Sequence, residues 1–223
     1  MKVKETEFEG IFKIDGRLAT INLVPGELVY GEELVKINKM EYRIWDFWRS
    51  KPAAAMKVGL KEFPLKKGMK MLYLGVASGT TASHFSDIVG KEGIIYGVDI
   101  AGRVLRDLVA IAEKRGNIVP ILNDCRKPED YQNQILEKVD CVYEDVADRD
   151  QIPILIRNCQ KFLKINGWVM IAIKSQSIDV VRKPKDVYNE CLLELEKYFE
   201  VFDKVELDPY EKHHLFVVMK WKK

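Results

Sequence analysis

The chain has 223 residues, 47% of them hydrophobic and 31% charged, the composition of a globular protein long enough to bury a substantial core. Lysine and arginine (36) nearly balance aspartate and glutamate (34), and the resulting net charge of +2 excludes a nucleic-acid binder that works by bulk charge. No apolar run approaches a membrane span and the opening MKVKETEFEG has no signal-peptide core, which predicts a cytoplasmic protein with no membrane partner.

In chain order, residues 8–14 and 18–23 flank Asp15 and Gly16 and read as a hairpin with a type I′ turn; residues 29–36 and 41–45 add further strands. These predict a small β-rich domain over residues 1–51, packed on a larger one over residues 52–223. From Pro52 the pattern becomes alternating helices and strands. Residues 53–63 read as a helix with Pro52 in its first turn. Residues 71–74 are a buried strand, 75–79 a small-residue turn, Thr80 and Thr81 open a helix, and strand 94–98 is closed by Asp99. Leu105, Leu108, Val109 and Ala112 mark one apolar helix face, followed by strand 118–122, helix 128–136 and strand 139–143 with Glu144 and Asp145 at its end. Ile152, Leu155, Ile156, Cys159, Phe162 and Leu163 form the clearest amphipathic helix, and strand 168–173 ends at Lys174. A helix through Val187, Cys191, Leu195 and Tyr198 leads to strands 201–207 and 215–221, antiparallel around a turn at Pro209. The prediction is an α/β, Rossmann-like class I methyltransferase fold: a mostly parallel seven-stranded sheet ending in an antiparallel hairpin.

Basic residues cluster at Arg43, Arg49 and Lys51; at Lys61, Lys66, Lys67 and Lys70; at Arg182, Lys183 and Lys185; and at Lys220, Lys222 and Lys223. Each cluster reads as a solvated face. Cys125, Cys141, Cys159 and Cys191 lack metal-ligand spacing, so buried reduced thiols and no metal site are expected.

Chemistry concentrates beyond the carboxyl ends of the strands, where open α/β sheets bind ligands. The turn Gly75-Val76-Ala77-Ser78-Gly79 is followed twenty residues later by Asp99, the spacing at which a carboxylate reaches the hydroxyls of a ribose. Ala77 stands where a dinucleotide fingerprint has its second glycine, which favours a phosphate-free adenosine ligand, S-adenosylmethionine, over NAD. Asp124, Asp145 and Lys174 end further strands on the same rim and join Asp99 as candidate site residues.

The blocks NLVPGELVYGE, EYRIWDFWRSKPAAA, YLGVASGTTASHFSDIVG, YEDVADRDQ, IAIKSQSID and PYEKHHLFVV resemble the fibrillarin family, the S-adenosylmethionine-dependent RNA 2′-O-methyltransferases of box C/D guide ribonucleoproteins. The similarity runs from Asn22 to Met219 and lacks the glycine-arginine arm of eukaryotic members, as in archaeal forms. The resemblance implies cofactor contacts from the Gly75, Ala77 and Gly79 turn, from Thr80 and Thr81, from Asp99 with Ile100 at the ribose, from Asp124 with Cys125 at the adenine, and from Asp145, Val146, Ala147 and Asp148 near the methyl donor. It implies a catalytic set of Lys51, Asp145, Lys174 and His214, of which Lys51 and His214 have no signal apart from it. Relatives commonly carry glutamine at position 148 and alanine at position 125, so Asp148 and Cys125 are departures. The implied function is 2′-O-methylation of rRNA and tRNA, chosen by a box C/D guide RNA, with a Nop5-type scaffold protein and an L7Ae-type RNA-binding protein as partners. Methylation of a protein glutamine, or a catalytically silent scaffold of the same fold, stays open as the alternative.

Overall fold

The computed structural model describes residues 2–222; the first methionine and Lys223, the last member of the C-terminal basic cluster, lie outside the described residues. Period-two patterning near the N-terminus produces β1 (Val3–Glu5), β2 (Ile11–Ile14), β3 (Arg17–Ile21), β4 (Leu34–Ile37) and β5 (Met40–Ile44), an antiparallel sheet in the order β1-β2-β3-β5-β4. Asp15 (φ 48°) and Gly16 (φ 83°) both take positive φ, as a type I′ turn requires. The strand expected from residue 29 begins only at Leu34, because Glu32 turns the chain by accepting the N–H groups of Val29 (3.1 Å) and Tyr30 (2.8 Å). The short edge strand β1, with a single apolar residue, has no sequence signal strong enough to read.

The rest of the chain forms α1 (Lys51–Val58), β6 (Lys70–Leu74), α2 (Thr80–Val89), β7 (Ile94–Asp99), α3 (Gly102–Arg115), β8 (Ile118–Leu122), β9 (Val139–Glu144), α4 (Gln151–Phe162), β10 (Leu163–Lys174), the short α5 (Ser175–Ile178), α6 (Pro184–Leu195), β11 (Phe199–Glu206) and β12 (His214–Trp221). The seven-stranded sheet runs β11-β12-β10-β9-β6-β7-β8, parallel between β10 and β8, with β12 antiparallel to both of its neighbours. Along central β6, Leu72 and Leu74 enter one apolar core and Met71 and Tyr73 the other, so helices cover both faces.

Two helices differ from the sequence expectation. The one expected over residues 53–63 ends at Val58, and Gly59 turns the chain into an extended run that buries Leu60, Phe63 and Leu65 instead. Residues 128–136 hold a single 3₁₀ turn at Gln132–Gln134; Pro128, Tyr131 and Ile135 are buried but Leu136 is exposed, and these do not make a continuous helix face among the acids and amides. On α3 the apolar face is carried by Leu105, Leu108 and Ala112, while Val109 is exposed.

The largest correction concerns Arg43, read as part of a solvated basic cluster and in fact fully buried. Its guanidinium donates to Glu32 Oε1 (2.6 Å), Asp87 Oδ2 (2.8 Å) and Ser83 Oγ (2.9 Å), clamping the N-terminal sheet onto α2. Arg115, also buried, donates to Ser86 Oγ (2.8 Å) and pairs with Asp87 Oδ1. Thr20 Oγ1 donates to Asp87 Oδ2 (2.7 Å), so His84 Nδ1, 2.8 Å away, is the donor to Thr20, and His84 Nε2 accepts from the Tyr30 hydroxyl (2.7 Å).

Burial, reinforced by the charges of Arg43 and Arg115, holds His84 neutral well below the ordinary imidazole value of 6.5. As pH falls below that value the unfolded chain takes a proton that the folded chain refuses, so stability falls with falling pH. The expected slope contribution is up to about 1.4 kcal/mol per pH unit between about pH 6.5 and 5. Denaturant titrations across that window should give a slope for His84→Gln flatter by this amount; equal slopes would show that His84 is charged in the folded protein.

Candidate active site

Five elements converge at the carboxyl edge of the parallel strands. The turn after β6, the ends of β7, β9 and β10, and the 122–126 loop enclose a cavity of about 350 Å³ lined by Gly75, Ala77, Asp99, Ile100, Asp124, Cys125, Arg126, Asp145, Val146, Ala147, Asp148, Ile154 and Lys174. Its size suits a small organic ligand. Ala77 takes φ 51° because Asp99 Oδ2 accepts its N–H (2.8 Å), while Oδ1 accepts the N–H of Ala101 (2.9 Å). The Asp99 carboxylate is thereby fixed at the cavity edge with lone pairs left for hydroxyl donors. Gly75 lies so close to the next loop that a Cβ there would sit 2.9 Å from the Asp145 carbonyl carbon and from the Val146 nitrogen.

On the opposite wall Arg126 donates to Asp124 (Nε to Oδ1, 3.0 Å) and reaches Asp148 Oδ2 at 3.8 Å. Its hydrogen bond, helped by its charge, holds the Asp124 carboxyl below the usual carboxylate range. Burial pushes the Cys125 thiol up to about 12, so Cys125 is a small apolar wall rather than a nucleophile. Cys141, Cys159 and Cys191 are buried too. Glu144 is fully buried between β6 and β10, without a hydrogen-bond partner among the described residues, and burial raises it well above the carboxylate range.

At the rim, Lys174 Nζ donates to the Asp145 carbonyl (2.6 Å) and lies 2.8 Å from Asp145 Oδ1. Lys51, the first residue of α1, donates to Asp145 Oδ2 (3.1 Å). His214 stands directly opposite Lys174 in the β10–β12 register. Burial, with the charges of Lys51 and Lys174, lowers the His214 imidazole below its ordinary value, and its Nδ1 is held 2.8 Å from the Lys212 carbonyl oxygen. The structure thus brings Lys51, Asp145, Lys174 and His214 to one point beside the cavity.

Gly79, Thr80 and Thr81 are not among the cavity-lining residues. Thr81 is buried with its hydroxyl 2.9 Å from Ser50 Oγ, which ties α2 to the residue preceding Lys51, and Thr80 lines a separate groove. Sequence reasoning singled out neither Arg126, Ile154 nor Gln151. Buried Gln151 donates through Nε2 to the carbonyls of Val146 (2.9 Å) and Ala172 (3.1 Å) and accepts the Lys174 N–H (2.9 Å), locking the 145–148 loop to the end of β10. Its position at the end of YEDVADRDQ was the available signal.

The described residues contain no group of three or more histidine, cysteine or acidic side chains placed to hold a metal ion, and no helix long and apolar enough to cross a membrane. Residues 2–223 match the family model for fibrillarin. The fibrillarin-like rRNA/tRNA 2′-O-methyltransferase of Thermococcus gammatolerans is 54% identical over 226 residues, covering 99% of this chain and 100% of the relative. Aeropyrum pernix fibrillarin, solved with natively bound S-adenosyl-L-methionine, superposes with a TM-score of 0.90 at 46% identity, covering 98% of each chain. A fibrillarin solved in complex with Nop5p superposes at 0.88 with 38% identity, covering 96% of this chain and 98% of that one. With this cavity, this sheet order and these full-length matches, the chain belongs to the fibrillarin family.

Proposed function

We propose that this protein is an S-adenosylmethionine-dependent RNA 2′-O-methyltransferase acting on rRNA and tRNA. The observation that carries the reading is the convergence of Lys51, Asp145, Lys174 and His214 at the mouth of a cavity built for an adenosine. The cavity fits the cofactor by the chemistry of its lining: Asp99 would accept from the ribose hydroxyls, Asp124 and the apolar Cys125 would border the adenine, and Asp145 and Asp148 would offer negative charge to a sulfonium. Bound there, the cofactor supplies an electrophilic methyl group. Lys174 would take the proton of the attacking 2′-hydroxyl once its own ammonium has passed a proton to solvent, and Asp145, its ion-pair partner, fixes where that nitrogen points. Lys51 holds Asp145 from the far side, and His214 closes the rim beside Lys174. In this reading residues 52–223 are the methyltransferase unit, while residues 1–51 form the β-rich unit that delivers Ser50 and Lys51.

A Nop5-type scaffold carries the enzyme to its RNA, in line with the Nop5p complex of a family member. An L7Ae-type protein and a box C/D guide RNA complete the assembly and select the nucleotide. The test is transfer from labelled S-adenosylmethionine to a guide-matched RNA, with and without these partners and with a 2′-deoxy target. Transfer only in the complete assembly, lost with the deoxy target, is expected. Label on protein glutamine would make the acceptor a protein, and no transfer despite bound cofactor would make the chain a scaffold.

Gly75→Ala should weaken cofactor binding. The added methyl must push the Asp145–Val146 backbone away and adopt φ +77°, at a cost of about 1–3 kcal/mol. Calorimetric titration should show affinity lower by about 5- to 150-fold with far-UV circular dichroism unchanged. Wild-type affinity would show that the loop yields without cost.

A further inference from the structure

Side chains alternate along a strand, so strand register identifies the residues directly beneath the reactive rim. Lys174 of β10 pairs with His214 of β12, and two residues deeper on the same face Ala172 pairs with Phe216. Asp145 lies one residue past β9, but its N–H still donates to the Leu74 carbonyl (2.9 Å), so the alternation continues and Tyr143 is the side chain beneath it. Tyr143, Ala172 and Phe216 belong to one buried core together with Tyr73 of β6. Of the three beneath the rim, only Tyr143 carries a polar side-chain atom.

The Tyr143 ring is walled by Tyr73, Phe85 and Phe216, with centroids 4.7, 5.6 and 5.9 Å away, and its hydroxyl is buried without a full hydrogen bond among the described residues. Asp145 Oδ1 is buried as well and accepts none. Lys51 (3.1 Å) and Lys174 (2.8 Å) come close enough to pair with it, but their hydrogen bonds go to Asp145 Oδ2 and to the Asp145 carbonyl. A buried donor in want of an acceptor therefore stands beneath a buried acceptor in want of a donor. The phenol already senses that carboxylate. Burial, then the Asp145 charge, raises it well above its ordinary value of 10, and Asp145 adds to the rise as a hydrogen-bond acceptor, so the hydroxyl stays a neutral donor.

We propose that Tyr143 is a positioning residue of the methyl-transfer step: its hydroxyl donates to Asp145 Oδ1 as Lys174 gives its ammonium proton to solvent. Losing that proton removes one of the two cations beside Oδ1, and the Tyr143 hydroxyl is the buried donor beneath it. The phenol keeps its own proton throughout. Lys174, now an amine, takes the 2′-hydroxyl proton while the ribose oxygen bonds the methyl carbon and the sulfur–carbon bond breaks, which returns Lys174 to the ammonium and leaves the sulfur a neutral thioether. By sharing the Asp145 charge, Tyr143 weakens its hold on the Lys174 proton and lowers the pH at which the amine forms. The other titratable groups around the pair are Lys51 on α1, Tyr73 on β6, Glu144 on β9, Asp148 after it, and Glu211 and His214 at the β12 end. Among the described residues only Lys51 and Lys174 form ion pairs with Asp145. The inference rests on Lys174 being the proton acceptor.

The test is the pH profile of single-turnover transfer in the assembled complex, for the native chain and for Tyr143→Phe, which deletes one oxygen and keeps the ring. The acid limb of Tyr143→Phe should lie about one pH unit higher, a loss of about tenfold on the limb, with the plateau and S-adenosylmethionine affinity unchanged. The ¹³C-labelled Lys174 side-chain resonance of the full chain, assigned with Lys174→Arg, should titrate higher by the same amount in the absence of RNA. Tyr73→Phe removes the neighbouring buried hydroxyl, which faces Thr81, and should leave limb and resonance in place. An unmoved limb, a rate lowered equally at every pH, or an equal displacement in Tyr73→Phe overturns the proposal. The resonance needs no turnover. A displaced Lys174 titration in a chain that transfers no methyl group condemns the proposed function alone, whereas transfer with an undisplaced titration condemns the Tyr143 assignment alone.

Discussion

Lys174→Ala loses methyl transfer to RNA by about 100- to 10,000-fold, the contribution of a positioned proton acceptor, while its affinity for S-adenosylmethionine stays close to that of the native protein. The split follows from the contacts. Lys174 gives its ammonium to the Asp145 carbonyl at 2.6 Å and to its carboxylate at 2.8 Å, but the Asp99, Asp124 and Gly75 regions that frame the cavity do not depend on it. Asp145 stays paired with Lys51, and Gln151 still bonds the main chain at position 174, so the loop keeps its place. Lys174→Arg sharpens the result: guanidinium keeps the ion pair with Asp145 but cannot give up its proton, so it should be as inactive as alanine. Single-turnover transfer in the assembled complex, with calorimetry for the cofactor, separates the two effects. Turnover within tenfold of native in either variant would remove Lys174 from the proton path and leave Asp145 or solvent to fill it.

What the sequence discloses of this site depends on how local each feature is. The turn ending at Gly79 and the acid at Asp99 sit in one strand-turn-helix-strand unit, so spacing alone makes them legible, and the Ala77–Asp99 hydrogen bond is the contact that spacing permits. Asp145 and Lys174 are legible because strand ends share one rim, whatever the strand order. Lys51 and His214 are not, since they reach that rim through the Ser50–Thr81 hydrogen bond that ties the start of α1 to α2 and through antiparallel β12 pairing with β10, neither of which leaves a periodic mark. They came from the resemblance to fibrillarins. Arg43 fails for a related reason: its acid partner Asp87 is 44 residues away on another element, so a linear reading sees only a cation among cations. The expected helix at 128–136 fails because the three residues of its one 3₁₀ turn, Gln132–Gln134, bury nothing, so no packing holds a longer helix there.

Asp87→Ala should be the most destabilising single substitution in the buried network, costing about 3–5 kcal/mol. The side chain is fully buried, and both oxygens are used twice: Oδ2 accepts from Arg43 (2.8 Å) and Thr20 (2.7 Å), while Oδ1 accepts from the Leu23 N–H (2.9 Å) and from Arg115. Its removal leaves two buried guanidinium groups facing one carboxylate, Glu32, and burial already lowers both arginines. For a chain of 223 residues this corresponds to a fall in Tm of roughly 6–20 °C, read by calorimetry. The same loss should reach the active site, because Asp87 joins β3 and β5 to α2, and β5 leads within seven residues to Lys51. Transfer should therefore fall below the melting transition while cofactor binding persists. The discriminating control is Asp87→Ala combined with Arg115→Met, which removes one stranded cation and should recover part of the stability. Recovery would assign the cost to uncompensated charge; a double variant no more stable than Asp87→Ala would assign it to lost packing and to the unsatisfied Thr20 and Leu23 donors.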